Sequence, residues 1–480
     1  FRHYSTRNRY WTDRGVPGPQ PEFLYGNLRD FWENDEPRAM VFRNWTKQYG
    51  KVYGYLEGQQ PVRVVSDASL IYEIFVKRFD SFNATAKLGL QATAKTDDMH
   101  MAQASGTQWK RLRTLSSEAF SAKSIRNAFP TVKDSARQIV QFIENQQGSE
   151  IDAQHYFREF TMDIISKLTL GMDNCRMFEN ELVAQCVQFF SSTRSSGLFV
   201  FAAIFPSLIR YFKVFFFAVC ENSQLSVNIN FKSISVLFVK FPILEVAGEL
   251  RKGDILDMFL DAEADEFGVG TKAKNKLSTN EIVANCKLFL LAGYDTTSIT
   301  LSKAIHFLAN HEEIQQRLRE EIDDVIGDGD YDVEDIGSLR YAEAVIKETL
   351  RLHPVASGFT TRECTTDCEI GKHSFKKGDV IFVDSWSLQR DKEMWGEDAE
   401  EFRPERWLED TPRDRAAFLA FGEGPRICLG MRLALVEAKV ALAEVLRNFT
   451  IEKTENTNRL KMVGSLLLSF DRVPVSMKKR

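Results

Sequence analysis

Between residues 421 and 430 the chain reads Phe-Gly-Glu-Gly-Pro-Arg-Ile-Cys-Leu-Gly, which sets one cysteine, Cys428, among three glycines, an arginine and a phenylalanine. Average residue usage makes such a pattern a chance event in on the order of one in 10^5 chains of this length. Gly422, Gly424 and Gly430 permit backbone angles and close approaches that a side chain forbids. Beyond Gly430, Leu435, Ala438, Leu442, Val445 and Phe449 recur on one helical face. A helix starting there points the positive end of its dipole at Cys428, which lowers the thiol pKa. Arg426 adds positive charge nearby, and Phe421 shields the sulfur from water. The fold must therefore bring a tight loop and a helix N-terminus to one sulfur atom.

The 480 residues contain no Gly/Ser or Pro linker long enough to separate domains, and a 44% hydrophobic content supports a large core. The reading is a single, mostly α domain with small β-sheets near the N-terminus and in the C-terminal half. Val52–Leu56 and Val62–Val65 are β-rich runs either side of a turn, which predicts a hairpin; strand-like runs return at Cys368–Ile370 and Val380–Val383. Ser278 and Glu281 form a capping box ahead of the long apolar run 282–304. Within that run Ala292, Gly293, Asp295, Thr296 and Thr297 include poor helix formers, which predicts a local opening. Leu288, Ala292, Thr296 and Ile299 share a face. A further helix, Tyr341–Leu352, stops at His353-Pro354. Residues 198–248 fit poorly, as either a membrane-dipping loop feeding an apolar pocket or translated non-coding sequence.

Seven cysteines form no CxxC pair and no disulfide framework, which favours a reducing compartment. Cys286 reads as a core residue, while Cys364 and Cys368 flank a polar turn. A net charge of −5 argues against nucleic acid as a partner. No apolar run reaches the length of a membrane span. Residues 1–15 form a polar stub carrying Arg2, Arg7, Arg9 and Arg14, the kind of basic flank found beside a membrane anchor that precedes it, and Pro17-Gly18-Pro19 is a stiff elbow before the domain over 16–480.

The run Phe421–Gly430 resembles the haem-binding signature of the cytochrome P450 superfamily, and the resemblance to animal microsomal, xenobiotic-type members extends over nearly the whole chain. It implies haem b held by the Cys428 thiolate as axial ligand, with Phe421 and Gly422 beside it and Arg426 pairing a haem propionate. Trp109 and Arg113, four apart on a helix, and Arg362 in a strand resemble further propionate-binding positions. Glu348 and Arg351, followed by Phe402-Arg403-Pro404-Glu405-Arg406-Trp407, resemble a buried Glu-Arg-Arg triad that supports the cysteine loop. Trp407 stands where the family usually has Phe, a conservative change. Asp295 and Thr296 resemble the acid and alcohol that deliver the two protons needed to cleave the O–O bond of dioxygen.

The implied activity is monooxygenation of a small lipophilic substrate with O2, using electrons from NADPH. They would pass through a flavoprotein NADPH-cytochrome reductase, and a cytochrome b-type donor is a further implied partner. Lys110, Arg111, Lys123, Arg126, Arg432 and Lys439 are candidates for the basic face on which the reductase docks. The implied location is the cytoplasmic face of the endoplasmic reticulum membrane. The rival readings are a haem-thiolate isomerase or dehydratase and an inactive haem-binding protein; retention of Asp295 and Thr296 argues against the first.

Overall fold

The computed structural model describes residues 2–32, 36–86, 99–172, 176–192, 203–205, 255–264, 277–464 and 466–480. Of the poorly fitting segment 198–248, only residues 203–205 fall within them, and most of the loop before Trp109, with Lys95, lies outside. The helices that build the domain are α1 (Arg38–Tyr49), α2 (Gly106–Ala119), α3 (Ala122–Glu144), α4 (Ala153–Leu170), α5 (Thr279–Asn310), α6 (Glu312–Val325), α7 (Arg340–Leu352) and α8 (Met431–Asn448). The long helix α5 starts where the capping box is expected: the Glu281 N–H donates to Ser278 Oγ at 3.2 Å and the Ser278 N–H to Glu281 Oε2 at 3.1 Å.

Helix α5 is the spine. It lies along α4 and also meets α7 and α8, and a large core draws Ile299, Leu301, Ile305 and Leu308 from it, Phe157, Phe160 and Ile164 from α4, and Val440, Leu442, Val445 and Leu446 from α8. Gly293 is what allows the close approach to α4, since a Cβ there would meet Ile165 Cδ1 at 2.7 Å. The expected opening around residues 292–297 does not occur. The helix is continuous, since its packing along α4 overrides the weak helix propensities; the hydroxyls donate to its own carbonyls, Thr296 Oγ1 to Ala292 at 2.7 Å and Thr300 Oγ1 to Thr296 at 2.8 Å. Helix α8 also differs from the one-faced helix expected. From Glu437 to Leu446 every residue is buried, since the helix runs through the interior, while Leu435 is only half-buried.

The strands are β1 (Val52–Glu57), β2 (Gln60–Val65), β3 (Glu150–Asp152), β4 (Thr361–Glu363), β5 (Cys368–Ile370), β6 (His373–Phe375), β7 (Val380–Val383), β8 (Phe449–Glu452), β9 (Met462–Val463), β10 (Ser469–Phe470) and β11 (Pro474–Lys479). One sheet has the order β1-β2-β7-β4, with β2 parallel to β7. Another is β3-β11-β8, and β5-β6 and β9-β10 are hairpins. The β1-β2 turn is tighter than the sequence suggests: Glu57 pairs with Gln60, leaving only Gly58 and Gln59 between the strands. Gly58 has φ +61°, and a Cβ there would lie 2.3 Å from the Ala203 carbonyl oxygen.

The polar N-terminal stretch is anchored to this sheet through Arg7, Tyr10 and Trp11, while Ser5, Thr6, Arg9 and residues 12–15 stay exposed. Trp11 is buried and its indole N–H donates to the Tyr55 carbonyl at 2.8 Å, Arg7 Nε donates to the Gln59 carbonyl at 2.7 Å, and Tyr10 OH donates to Asp379. Trp11 outweighs the surrounding arginines because burying one indole removes a large apolar area from water. No helix among the described residues is long and apolar enough to cross a membrane.

Candidate functional site

A cavity of about 760 Å³ lies between the cysteine loop, α2, α5 and the β1-β2-β7-β4 sheet, and Cys428, Phe421, Gly422, Arg426, Trp109, Arg113, Arg362 and Thr296 all line it. The loop is shaped by its glycines. Gly422 and Gly424 both have φ +74°, and a Cβ on Gly424 would sit 2.3 Å from the Phe75 carbonyl oxygen. Gly430 is different, having an ordinary φ of −84° as the residue that starts α8. The Cys428 N–H donates to the Phe421 carbonyl at 2.8 Å, closing the loop.

The Cys428 thiol is open to the cavity but otherwise enclosed by protein. Burial pushes its pKa above the ordinary thiol value, opposed by the N–H groups of Gly430 and Met431 and by the Arg113 charge. The helix N-terminus therefore acts as expected, but enclosure outweighs it, so the predicted lowering of the thiol pKa is not found.

Arg113, Arg362 and Arg426 bring three positive charges to the cavity wall, and among the described residues none of the three pairs with a carboxylate. Arg426 stacks over Trp109 at 4.7 Å and donates to the carbonyls of Asn83 at 2.9 Å and Ala104 at 2.5 Å. Burial, then Arg113, pulls its pKa down to about 10. Arg362 lies 4.0 Å over the Phe75 ring, and its buried Nε has no hydrogen-bond partner. Burial, then Arg426, pulls it down to about 9. Mutually repelling buried cations are costly unless an anion joins them. A haem, with two propionates for these arginines and an iron for the Cys428 sulfur, fits the donor set present.

On the α5 wall the predicted face is partly right. Leu288, Ala292 and Thr296 line the cavity; Ile299 instead points into the core, and Thr300 takes its place. The Asp295 carboxyl is buried and turned toward α4, where Oδ1 accepts from Arg158 Nε at 3.1 Å, with Ser298 Oγ at 3.5 Å. Successive helical residues point about 100° apart, so acid and alcohol do not meet at the cavity in this conformation. Burial raises the Asp295 pKa, and Arg158 opposes the rise.

Behind the loop, Glu348, Arg351 and Arg406 are fully buried and joined. Arg351 meets both Glu348 oxygens at 2.8 Å, Arg406 Nε donates to Oε1 at 2.9 Å, and the Arg403 N–H donates to Oε1 at 3.0 Å. Trp407 is not a neutral replacement, because its indole N–H donates to Glu348 Oε2 at 2.9 Å, a bond no phenylalanine can make.

Sequence reasoning missed three residues here. Gln389 is fully buried; it donates to the carbonyls of Leu350 and Arg351 and accepts from the Leu419 N–H at 2.9 Å, tying the triad to the cysteine loop. Glu437 lines the cavity with a carboxyl that burial pushes up to about 8, opposed by a hydrogen bond with Thr297. A signal was available, as an acid set in the mostly apolar run of α8. His100 also lines the cavity, and burial lowers it to about 4, which keeps the ring neutral.

The basic face is smaller than expected. Lys439 is buried against Glu343 at 2.9 Å and Arg111 pairs with Glu281, because α5 and α7 bring acids beside them; Arg126 stays exposed but is neutralised by Glu334 of the Val333–Ser338 helix at 2.7 Å. Lys110, Lys123 and Arg432 remain exposed.

The sequence profile of the family described as Cytochrome P450 matches residues 16–477. The chain is 36% identical over 495 residues to the Caenorhabditis elegans protein "Putative cytochrome P450 CYP13A2", covering 98% of this chain and 95% of that one. It is 35% identical over 503 residues to "Putative cytochrome P450 CYP13A3" of the same organism, covering 100% and 96%. Sequence profile, relatives and mostly helical architecture agree, and the chain belongs to the cytochrome P450 family of haem-thiolate monooxygenases.

Proposed function

We propose that this monooxygenase oxidises small lipophilic molecules with electrons that reach it from NADPH through a flavoprotein reductase. The observation that carries the reading is one largely apolar cavity lined both by Cys428 and by Thr296. When bound there, haem supplies the redox chemistry of oxygen activation. The chain's own residues do the rest. Cys428 offers the ligating sulfur, with the Gly430 and Met431 amides tempering its charge. Trp109, Arg113, Arg362 and Arg426 would hold the propionates. Leu288, Ala292 and Val355 exclude water and orient an apolar substrate by contact.

In this reading Thr296 holds a proton-bearing water at the cavity wall, and Asp295 resupplies the proton after exchanging Arg158 for that water. Thr296→Ala is expected to keep NADPH oxidation in the presence of reductase within about threefold of the parent while diverting at least half of the electrons to peroxide. Removing one positioned proton-transfer group costs on the order of 10²-fold in the assisted step. Asp295→Asn should instead slow NADPH oxidation itself. Product formation by Thr296→Ala in parental yield per NADPH would remove the role given to Thr296, and a peroxide substrate consumed by the parent without NADPH would sink the proposal in favour of a rearranging enzyme.

Electron delivery by an acidic reductase, or by a cytochrome b-type donor, has its support in the exposed Lys110, Lys123 and Arg432. A membrane-surface location, on the cytoplasmic face of the endoplasmic reticulum, belongs to the same proposal. Its support is that Trp32, with Leu28 and Phe31, lines the cavity and is exposed along with Phe23, so a lipid-dissolved substrate would meet apolar side chains first. The chain as given should float with neutral phospholipid vesicles, and a Phe23→Ser/Trp32→Ser double variant should float less; equal flotation of the two would remove this part.

A further inference from the structure

Lys303 is 1% exposed, two turns beyond Thr296 on α5, and among the described residues no carboxylate pairs with it. An uncompensated ammonium in a core is unfavourable, and an apolar residue of the same volume would serve packing better. Burial, then the nearby Arg390, lowers its pKa to about 7. His353 lies close enough to feel its charge, and the Phe470 ring is 5.7 Å away. What Lys303 does reach is one main-chain atom: Nζ donates to the Leu468 carbonyl at 2.6 Å.

Leu468 belongs to the β9-β10 hairpin, whose tip delivers Gly464 and Leu466 to the cavity wall. Its N–H is already taken, donating to the Val355 carbonyl at 2.8 Å, and the Leu466 carbonyl accepts from the Gly358 N–H at 3.1 Å. Val355 and Gly358 line the cavity as well. The tip is thus clamped on one side by residues 355–358, through main-chain bonds that any side chains would allow. On the other side it is clamped by one side chain from the oxygen-facing helix.

We propose that Lys303 is a positioning residue for substrate selection, holding Gly464 and Leu466 at the cavity wall so that long apolar substrates meet a fixed surface there. The inference rests on reading this cavity as the haem and substrate pocket. Lys303 touches neither substrate nor haem; its influence passes through Leu468 to Leu466. A hydrogen bond from a charged or strongly polar donor is stronger than one between neutral groups, so this contact favours the arrangement that holds Leu466 at the wall. Without it, a long ligand must order the tip as it binds, whereas a ligand too short to reach the tip is indifferent.

The experiment is a ladder of ligands on the haem-loaded full chain: imidazole, 1-butylimidazole and 1-octylimidazole, with affinities read from the Soret shift. Lys303→Met keeps the length and removes the donor. It should bind imidazole as the parent does and 1-octylimidazole about tenfold more weakly, a loss of about 1.4 kcal/mol. Leu466→Ala should show the same selective loss, and the double variant should lose little beyond either single one, since both act through one tip. A ladder unchanged in Lys303→Met, or weakened equally at every rung, overturns the inference. Should Lys303→Met not accumulate as folded protein, Lys303→Gln, whose amide is too short to reach the carbonyl, takes its place under the same criteria. Absence of an imidazole shift in the parent would instead sink the haem reading, and the inference with it.

Discussion

Cys428→Ala is expected to remove the red-shifted Soret band of the reduced, CO-treated protein and to lower substrate oxidation at least a hundredfold, equivalent to about 2.7 kcal/mol or more in barrier height. The thiolate donates electron density that favours O–O cleavage, and among the described residues no other cysteine lines the cavity to replace it. Among the described residues the one imidazole on that wall is His100, which offers a nitrogen of quite different donor strength. Cys286→Ala is the matched control: Cys286 is buried in the α5 core, and its loss should leave the band in place. Enclosure favours the protonated Cys428 thiol over the thiolate that ligates. Ligation must release that proton, so haem loading of the refolded parent should strengthen as pH rises. A red-shifted band retained by Cys428→Ala would end the assignment.

The loop around Cys428, the capping box of α5 and the hairpin β1-β2 were legible in the sequence because each is a local device. A capping box needs residues three apart, a hairpin needs a glycine at the turn, and the loop needs glycines where φ is positive. Strands Cys368–Ile370 and Val380–Val383 were read with their observed bounds for the same reason.

What local pattern could not carry was direction. Asp295 faces Arg158 and not the cavity, since the partner lies 137 residues away on another helix. Lys439 was counted on a basic face although α7 supplies Glu343 to bury it. The segment 2–15 read as a polar stub because its arginines outnumber the one tryptophan that decides its packing. Gln389 was missed for a related reason: a lone glutamine has no spacing signature, and its three bonds lead to residues 30 to 39 positions away.

Glu348→Gln should destabilise the protein by about 3–5 kcal/mol, the usual cost of removing one partner of a buried ion pair, against a total stability of about 5–15 kcal/mol for a folded protein. The substitution changes two atoms' chemistry and no volume, so its effect isolates electrostatics. Five donor contacts converge on the Glu348 oxygens: two from Arg351, and one each from Arg406, the Arg403 N–H and the Trp407 indole. A carboxylate accepts all of them, whereas an amide presents one acceptor and turns an NH2 group against the remaining donors. Arg406 would keep Asp398 as counter-charge, with Oδ2 at 3.2 Å. Arg351 would keep only the carbonyls of Gln389, Ala399 and Glu401, leaving a buried guanidinium without an anion. The damage should travel: Gln389 bonds the Arg351 and Leu419 backbones, and Leu419 stands two residues before Phe421. Urea unfolding should therefore show an earlier midpoint with an unchanged slope, and haem content per chain should fall although no haem-contacting residue is altered. Trp407→Phe, which removes a single donor, should cost about 1.5–3 kcal/mol and retain haem. If Glu348→Gln unfolds within 1 kcal/mol of the parent (an error-sized change), the triad is a passive ion pair, and the cysteine loop is held instead by local contacts such as the Cys428 N–H bond to the Phe421 carbonyl and the packing of Gly424 on Phe75.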